Sequence, residues 1–334
     1  MARTLAEVAM SLNIAKSSVQ NRSPQIFLCG GRLPESGEPP ASLRAVLMAL
    51  LENDYPELRS SVILAEDAAD WYHNPKSPNS PHFPNLVDLE EQIGALSTLI
   101  LLIVESAGSI AELGAFSFIP SFRVKLWVVL EGGFQDKRSF IMDGPVAMLE
   151  KESKATGGPS RWYALDWLKK TKKPIISVLH TERAARKIVR EILDPAISGM
   201  KGTELFRAES LEHQILLVAD LVSAGGPLLI SEIMEILEGL DLKTEKKIEQ
   251  QKVEEYLFLL ENLGHLSKTR AGNNYFYVPP DRDRDFISYI SMNGKPVRRM
   301  SLREDIRAAR KKLPDDDYDR KLAFRNAAKK RVKP

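Results

Sequence analysis

Apolar positions along this chain alternate between short, wholly apolar runs and longer segments with helical spacing. The run Leu99 to Val104 is six residues, too few to cross a membrane and bounded by turn signals, so it reads as a buried parallel strand. Gln25 to Gly31, Ser61 to Leu64 and Lys125 to Leu130 are further short strands. Between them, Leu5 to Ile14, Leu43 to Leu51, Leu86 to Leu96 and a segment from Ile110 onward carry apolar residues at helical spacing. Trp71 to Asn85 holds four prolines and no period, which predicts a long loop, placed after the second strand as a lid. Strand and helix alternation of this kind predicts an α/β domain with a doubly wound parallel sheet.

The second half changes character. Glu152 to Arg161 has the composition of a linker, and residues 162–200 read as mainly helical, with Thr181 as an N-cap. Helices follow at Leu211 to Ser223, Ser231 to Leu240 (Ser231 as N-cap) and Lys243 to Leu263. His265 to Val278 alternates around Gly-Asn-Asn as a hairpin. Three helices and a hairpin predict a C-terminal α+β winged-helix domain. The expected division is 1–150 for the α/β domain, 151–204 for a helical linker, 205–280 for the winged helix and 281–334 for a basic tail.

Composition narrows the classes. With 334 residues and 43% hydrophobic content the chain can bury a large core. A single cysteine excludes an internal disulfide framework, and five scattered histidines lack metal-ligand spacing, so no metal is expected. Without an apolar run of about 18 residues or a cleavage-type leader, a cytoplasmic protein with no membrane partner is expected. The net charge of +2 hides an asymmetry: residues 281–334 carry 17 Lys and Arg against nine Asp and Glu. Lys268, Arg270, Arg298, Arg299, Lys311 and Lys312 are therefore the candidate nucleic-acid contacts, aided by Tyr275 and Tyr277; the alternatives are a solvated tail and a protein-docking winged helix.

Acidic residues gather where the strands end. The turn Glu105-Ser106-Ala107-Gly108-Ser109 admits close backbone approach, with Ser109 as the expected helix cap, and Glu112 stands out in the first turn of an otherwise small and apolar helix. An acid there either complements the helix dipole or faces a site. Glu66 and Asp67 follow the second strand, and Glu90 lies on the helix feeding the third. Opposed carboxylates suit attack at a sugar C1′, where the transition state is oxocarbenium-like: one acts as nucleophile while another protonates the base or orients ribose. Cys29-Gly30-Gly31 ends the first strand without a G-x-G-x-x-G, and no P-loop occurs. Cys29 reads as a small buried residue at the edge of a pocket; Ser139 and Asp143 either line that pocket or form a turn.

Ile26 to Gly31, Ala65 to Asp67, Leu86 to Glu90, Glu105 to Ser117 and Lys137 to Val146, in that order, resemble bacterial retron effectors with a nucleoside 2-deoxyribosyltransferase-like domain. The resemblance implies a nucleoside deoxyribosyltransferase-like, flavodoxin-like fold and an N-glycosidase toxin of phage defence. It also implies inhibition by the retron reverse transcriptase with its msDNA/msrRNA, and self-assembly as in related transferases. In that superfamily the Glu of the E-L-G motif is the nucleophile, which maps onto Glu112. Glu105 falls one residue out of register with the ribose-positioning aspartate, and Glu90 departs similarly, which leaves the general acid open. No cofactor is implied, and NAD is the first substrate to test, ahead of other nucleotides and nucleosides. A nucleotide-sensing DNA-binding regulator and a scaffold without turnover are the competing classes.

Overall fold

In the computed structural model, the described residues are 3–20, 24–35, 37–73, 83–134, 138–169, 175–176, 178–198, 202–244, 247–280, 284–310 and 316–331. The chain divides into two compact units, one of Ser23–His73 with Leu89–Lys201, the other of Met1–Arg22, Asn74–Asp88 and Gly202–Pro334. The first 22 residues, read from sequence as the entry to the sheet, thus belong to the unit that holds the C-terminal helices.

The first unit is built on five strands: β1 (Ile26–Cys29), β2 (Val62–Leu64), β3 (Leu99–Val104), β4 (Leu126–Glu131) and β5 (Trp162–Leu165). They pair in the order β2-β1-β3-β4-β5, all parallel, as the doubly wound reading requires. β3 is buried at all six positions and sits centrally, which explains its uninterrupted apolar run. β1 sends Ile26 and Leu28 into a core shared with Leu43, Leu47 and Leu51 of α1 (Leu43–Asp54) and with Ala185 and Ile188 of a later helix (Val178–Ile188). Phe27, on the other face, meets Phe116 at a ring separation of 6.2 Å. Phe116 belongs to α4 (Ala107–Phe118), which follows α2 (Ala65–His73) and α3 (Leu86–Leu96) in the chain.

Several local expectations change. Trp71 to His73 complete α2 rather than begin a loop; of the lid read from sequence, residues 74–82 lie outside the described ones. Only the first half of the linker read at Glu152 to Arg161 is helical, as the end of the helix Ala147–Thr156 closed by Gly157 at φ +64°, and residues 162–165 add the fifth strand, so the sheet unit continues well past 150. Thr181 lies inside its helix and donates to the Trp167 carbonyl at 3.2 Å instead of capping.

The other unit places helices Leu211–Gly225, Ile230–Gly239 and Gln250–Asn262 before a hairpin of Ser267–Ala271 and Asn274–Val278. Residues 245–246 are outside the described ones, and the third helix starts seven residues later than its pattern suggests. The second helix is capped from Leu229, whose N–H donates to Glu232, not from Ser231. The C-terminal segment, read as a basic tail, contains the helix Asp316–Arg331, whose Ala323 and Ala327 pack on Ala271, Phe276 and Val278 of the hairpin. Arg320 anchors it: buried, it forms a two-pronged pair with Glu232 and lies over the Phe276 ring. Among the described residues, no helix is long and apolar enough to cross a membrane.

Candidate active site

Doubly wound sheets bind ligands outside the carboxyl ends of their strands, where consecutive connections leave in opposite directions. Here that point lies between β1 and β3. A cleft of about 570 Å³ opens there, lined by Gly31, Ser42, Glu105, Ser106, Glu131 and Trp167 among others. The size suits a nucleotide-sized ligand.

Two side chains cross this edge over glycines. A Cβ on Gly31 would stand 2.8 Å from Glu105 Cγ, and one on Gly30 would stand 3.0 Å from Arg44 Cδ. The Gly30-Gly31 pair is therefore needed because Glu105 and Arg44 run directly over the backbone. Glu105 accepts from the backbone N–H groups of Leu43 (2.8 Å), Arg44 (3.0 Å) and Gly31 (3.3 Å). Its carboxylate thus ties β3 to β1 and to the first turn of α1. Burial raises its pKa, against those three N–H groups and the Arg44 charge. With both oxygens held by backbone, Glu105 braces the site, a role its position in sequence did not reveal.

Arg44 was not anticipated at all. It is 1% exposed, donates to the Gly31 carbonyl at 3.1 Å and grips both carboxylate oxygens of Glu66, one at 2.6 Å. Glu66 is 47% exposed at the start of α2. Asp67 turns back to accept from the Leu64 N–H at 3.0 Å, the reciprocal arm of a helix cap, and is thus occupied in local structure.

Glu112 and Glu90 form the acidic centre. α4 begins at Ala107, so Glu112 lies in its second turn, not its first. Ser106 is the N-cap, accepting from Ser109 N–H at 3.1 Å, and Ser109 returns the bond by accepting from Ser106 N–H at 2.9 Å. Ser109, the expected cap, is the third member of that box. Gly108 is exposed in the first turn. Glu112 Oε2 is buried and has no hydrogen-bond partner among the described residues. Burial pushes the Glu112 carboxyl up to about 7, with Arg44 opposing and Glu66 reinforcing the rise. Glu90, buried on α3, is pushed to about 7 by burial and by the Glu112 charge. Cys29 is fully buried; that burial, with the Glu112 and Glu90 charges, holds its thiol well above the usual value, so it fills space as an unionised group.

Asp143 lies in a π-helical segment, Met142–Val146, that runs into the helix Ala147–Thr156, and Ser139 just precedes it, so the pair forms neither the expected turn nor part of the cleft's lining. The Asp143 N–H donates to the Ser139 carbonyl at 2.9 Å, and the Asp143 side chain is exposed. Glu131, which lines the cleft at the end of β4, was missed; an acid at a strand's carboxyl end was the available signal.

In the other unit the candidates separate. Lys268 and Arg270 stand opposite Tyr277 and Tyr275 on one face of the hairpin, with Lys268 Nζ 5.3 Å from the Tyr275 ring centre. Arg270 and Arg298 are exposed. Arg299 is committed elsewhere, paired at 2.6 Å with buried Asp220 and at 3.0 Å with Asp285, and is a structural cation. Lys311 and Lys312 lie outside the described residues. Glu204 and Glu212 gather near buried His213, whose ring accepts from the Arg207 N–H and faces Glu204.

The five-stranded parallel sheet with helices defines an α/β protein; its cleft is lined by Glu105 and Glu131, while Glu112 and Glu90, whose carboxyls burial pushes up to about 7, are not among the residues lining it. The family model described as STM3845 retron effector protein matches residues 40–268, and the chain belongs to that family. Two similar Escherichia coli proteins, of retrons Ec73 and Ec86, bear the name "putative ribosyltransferase/DNA-binding protein". The first is 26% identical over 226 residues, 64% of this chain and 65% of that protein. The second is 34% identical over 128 residues, 38% of this chain and 37% of that protein. The matched region therefore spans less than two thirds of either relative.

Proposed function

We propose that the sheet unit is a nucleoside deoxyribosyltransferase-like N-glycosidase that cleaves the bond between ribosyl C1′ and a base, with NAD as the first substrate to test and no cofactor. The observation that carries this reading is Glu112: a half-buried residue whose carboxyl burial pushes up to about 7 and whose buried Oε2 lacks a partner among the described residues, coupled to a second carboxyl, Glu90, of similar pKa. Two adjacent acids of this kind share protons near neutrality, so one can be carboxylate while the other is acid. The ionised Glu112 attacks C1′ or stabilises its positive charge, and the C1′–N bond breaks with its electron pair going to the base. Glu90 gives that base a proton where one is needed. Water then adds at C1′, releasing Glu112 as carboxylate; its proton passes to Glu90 where Glu90 has protonated the base, and to solvent where the base has left without one, as nicotinamide does. Ser106 and Glu131, which line the cleft, would meet the sugar hydroxyls.

The ribosyltransferase wording in the relatives' names supports this class of chemistry. Family membership supports the further reading that the chain is the toxic effector of a retron phage-defence system, restrained by the reverse transcriptase with its msDNA/msrRNA, and self-assembling in the cytoplasm. The helix-helix-helix-hairpin unit, read as a winged helix, would touch nucleic acid through Lys268, Arg270 and Tyr275, in line with the DNA-binding wording of those names.

The test is nucleotide profiling by mass spectrometry in cells expressing the chain without partners, beside Glu112→Gln. Loss of NAD or another nucleotide with release of its base, only in the active form, is expected. Unchanged pools in both, with the partner complex intact, would favour a sensor or scaffold.

A further inference from the structure

The helix Asp316–Arg331 is held along one face. Ala323 and Ala327 pack on the hairpin, the Ala323 carbonyl accepts from Thr269 Oγ1 at 3.3 Å, Asn326 Nδ2 donates to the Arg270 carbonyl at 3.1 Å, and Arg320 is locked to Glu232. The opposite face carries Tyr318, Lys321, Arg325 and Lys329, three, four and four residues apart and all exposed, with no acid in the row. Tyr318 is 65% exposed, and Phe324 is exposed on the flank. The three cations recur once per turn, about 6 Å apart along one line. Among the described residues, the ion pairs of this helix run through Arg320, to Glu232 and Asp316, and none engages the row. Like charges one turn apart repel, and the helix dipole favours only Lys329, near the C-terminal end, so the row does not serve the stability of the helix that carries it.

The helix that a winged-helix unit lays in a groove is unsuited to that task here. Gln250–Asn262 buries Val253 and every residue from Glu255 to Leu260, and its one cation, Lys252, is paired at 2.8 Å with Glu255. On the hairpin, Lys268 lies over Tyr275 and Tyr277, and its N–H donates to Glu261. An exposed row of unpaired cations headed by a tyrosine suits nucleic acid, because each cation can neutralise a phosphate and the ring can stack on a base. The row holds no aliphatic side chain larger than alanine, so it lacks the anchors of a helix that docks in a protein groove or on a membrane. We propose that this face of the C-terminal helix, rather than the third helix, is the principal nucleic-acid surface of the unit, with Lys321, Arg325 and Lys329 on phosphates of one strand and Tyr318 stacked on an unpaired base. The proposal rests on the nucleic-acid reading given above and assigns its main contact.

The experiment is fluorescence anisotropy of the full chain with a labelled oligothymidylate over a range of salt concentrations. Wild type is compared with the triple variant Lys321→Ala, Arg325→Ala, Lys329→Ala, with the charge-conserving triple variant Lys321→Arg, Arg325→Lys, Lys329→Arg, and with Tyr318→Ala and Lys252→Ala. Alanine is the best helix former and these positions are exposed, so the alanine triple variant keeps the fold. Loss of three phosphate contacts should flatten the slope of log affinity against log salt by about 2 and weaken binding about 50-fold at about 0.15 M salt. The charge-conserving variant and Lys252→Ala should bind as wild type does, and Tyr318→Ala should weaken binding about fivefold or more with the slope unchanged. A wild-type slope in the alanine triple variant overturns the proposal; if binding then falls in Lys268→Ala, Arg270→Ala instead, the hairpin is the surface and the nucleic-acid reading survives. Failure of wild type to bind at low salt overturns both. Polyglutamate that displaces the protein as well as unlabelled oligothymidylate does overturns the proposal in favour of an acidic protein partner.

Discussion

Glu112 should weaken the fold at neutral pH, and Glu112→Gln should relieve that cost. In the unfolded chain the carboxyl ionises around its ordinary value of 4.5, whereas in the fold burial pushes it up to about 7. The native state therefore holds the proton more tightly, so stability is greatest below about pH 4.5 and falls as pH rises toward 7. At about 1.4 kcal/mol per pH unit, the difference amounts to about 3 kcal/mol, fully lost above pH 7. Glutamine has the shape of the protonated acid and does not titrate. Its advantage over wild type should be near zero at pH 4.5, grow through pH 5–7 and level off at about 3 kcal/mol by pH 8. The assay is chemical unfolding across pH 4.5–8, followed by amide exchange in β3, which reports the sheet unit by itself. A Glu112→Gln variant that is destabilised at pH 8, or whose effect does not vary with pH, would refute a Glu112 carboxyl whose buried Oε2 lacks a partner among the described residues.

Other outcomes follow from the same contacts. Glu105→Gln should destabilise the sheet unit by about 1–3 kcal/mol, because three backbone N–H groups lose an anionic acceptor; unchanged unfolding with lost turnover would make Glu105 a substrate group instead. Glu90→Gln should leave the first release of nicotinamide from NAD almost intact, since a pyridinium departs as a neutral base without a proton, yet slow base release from purine nucleosides by about 100-fold or more; rapid-quench base release checks both. Arg320→Ala should cost about 3–5 kcal/mol by stripping buried Glu232 of its two-pronged cation, and should free the Asp316–Arg331 helix from the hairpin; hydrogen exchange in residues 267–278 should rise, and unchanged protection would contradict the packing. Arg270→Ala should lower the salt dependence of any DNA binding by about one counterion without changing stability, whereas Arg299→Ala should unfold its unit.

The parts that were legible in sequence are those where burial leaves one reading. Leu99 to Val104 matches β3 residue for residue because a central parallel strand is apolar on both faces. β5 was hidden because it is an edge strand, half-buried at three of its four positions, in a stretch of mixed polarity. The start of α4 was misplaced because Ala107, Gly108 and Ser109 look like a turn, while the reciprocal Ser106–Ser109 cap draws them into the helix. The C-terminal helix was read as tail because Ala323 and Ala327, its buried contacts, are too small to mark an apolar face against so many charges. Glu112 was conspicuous as the lone acid among small residues. Arg44 was not, because an arginine inside Leu43 to Leu51 reads as a solvated interruption, and only the three-dimensional route over Gly30 shows that it enters the site. The role of Glu105 depends on donors some 60 and 70 residues earlier in the chain, which no local pattern can supply.

The most direct test of the central claim uses purified protein and a panel of NAD, nucleosides and nucleotides, with free base and sugar product followed by mass spectrometry beside Glu112→Gln. Time-dependent release of one base with a matching ribosyl product, abolished by a Glu112→Gln variant that folds as wild type does, is the predicted result. Equal release by both proteins, or none from wild type across the panel, would contradict it.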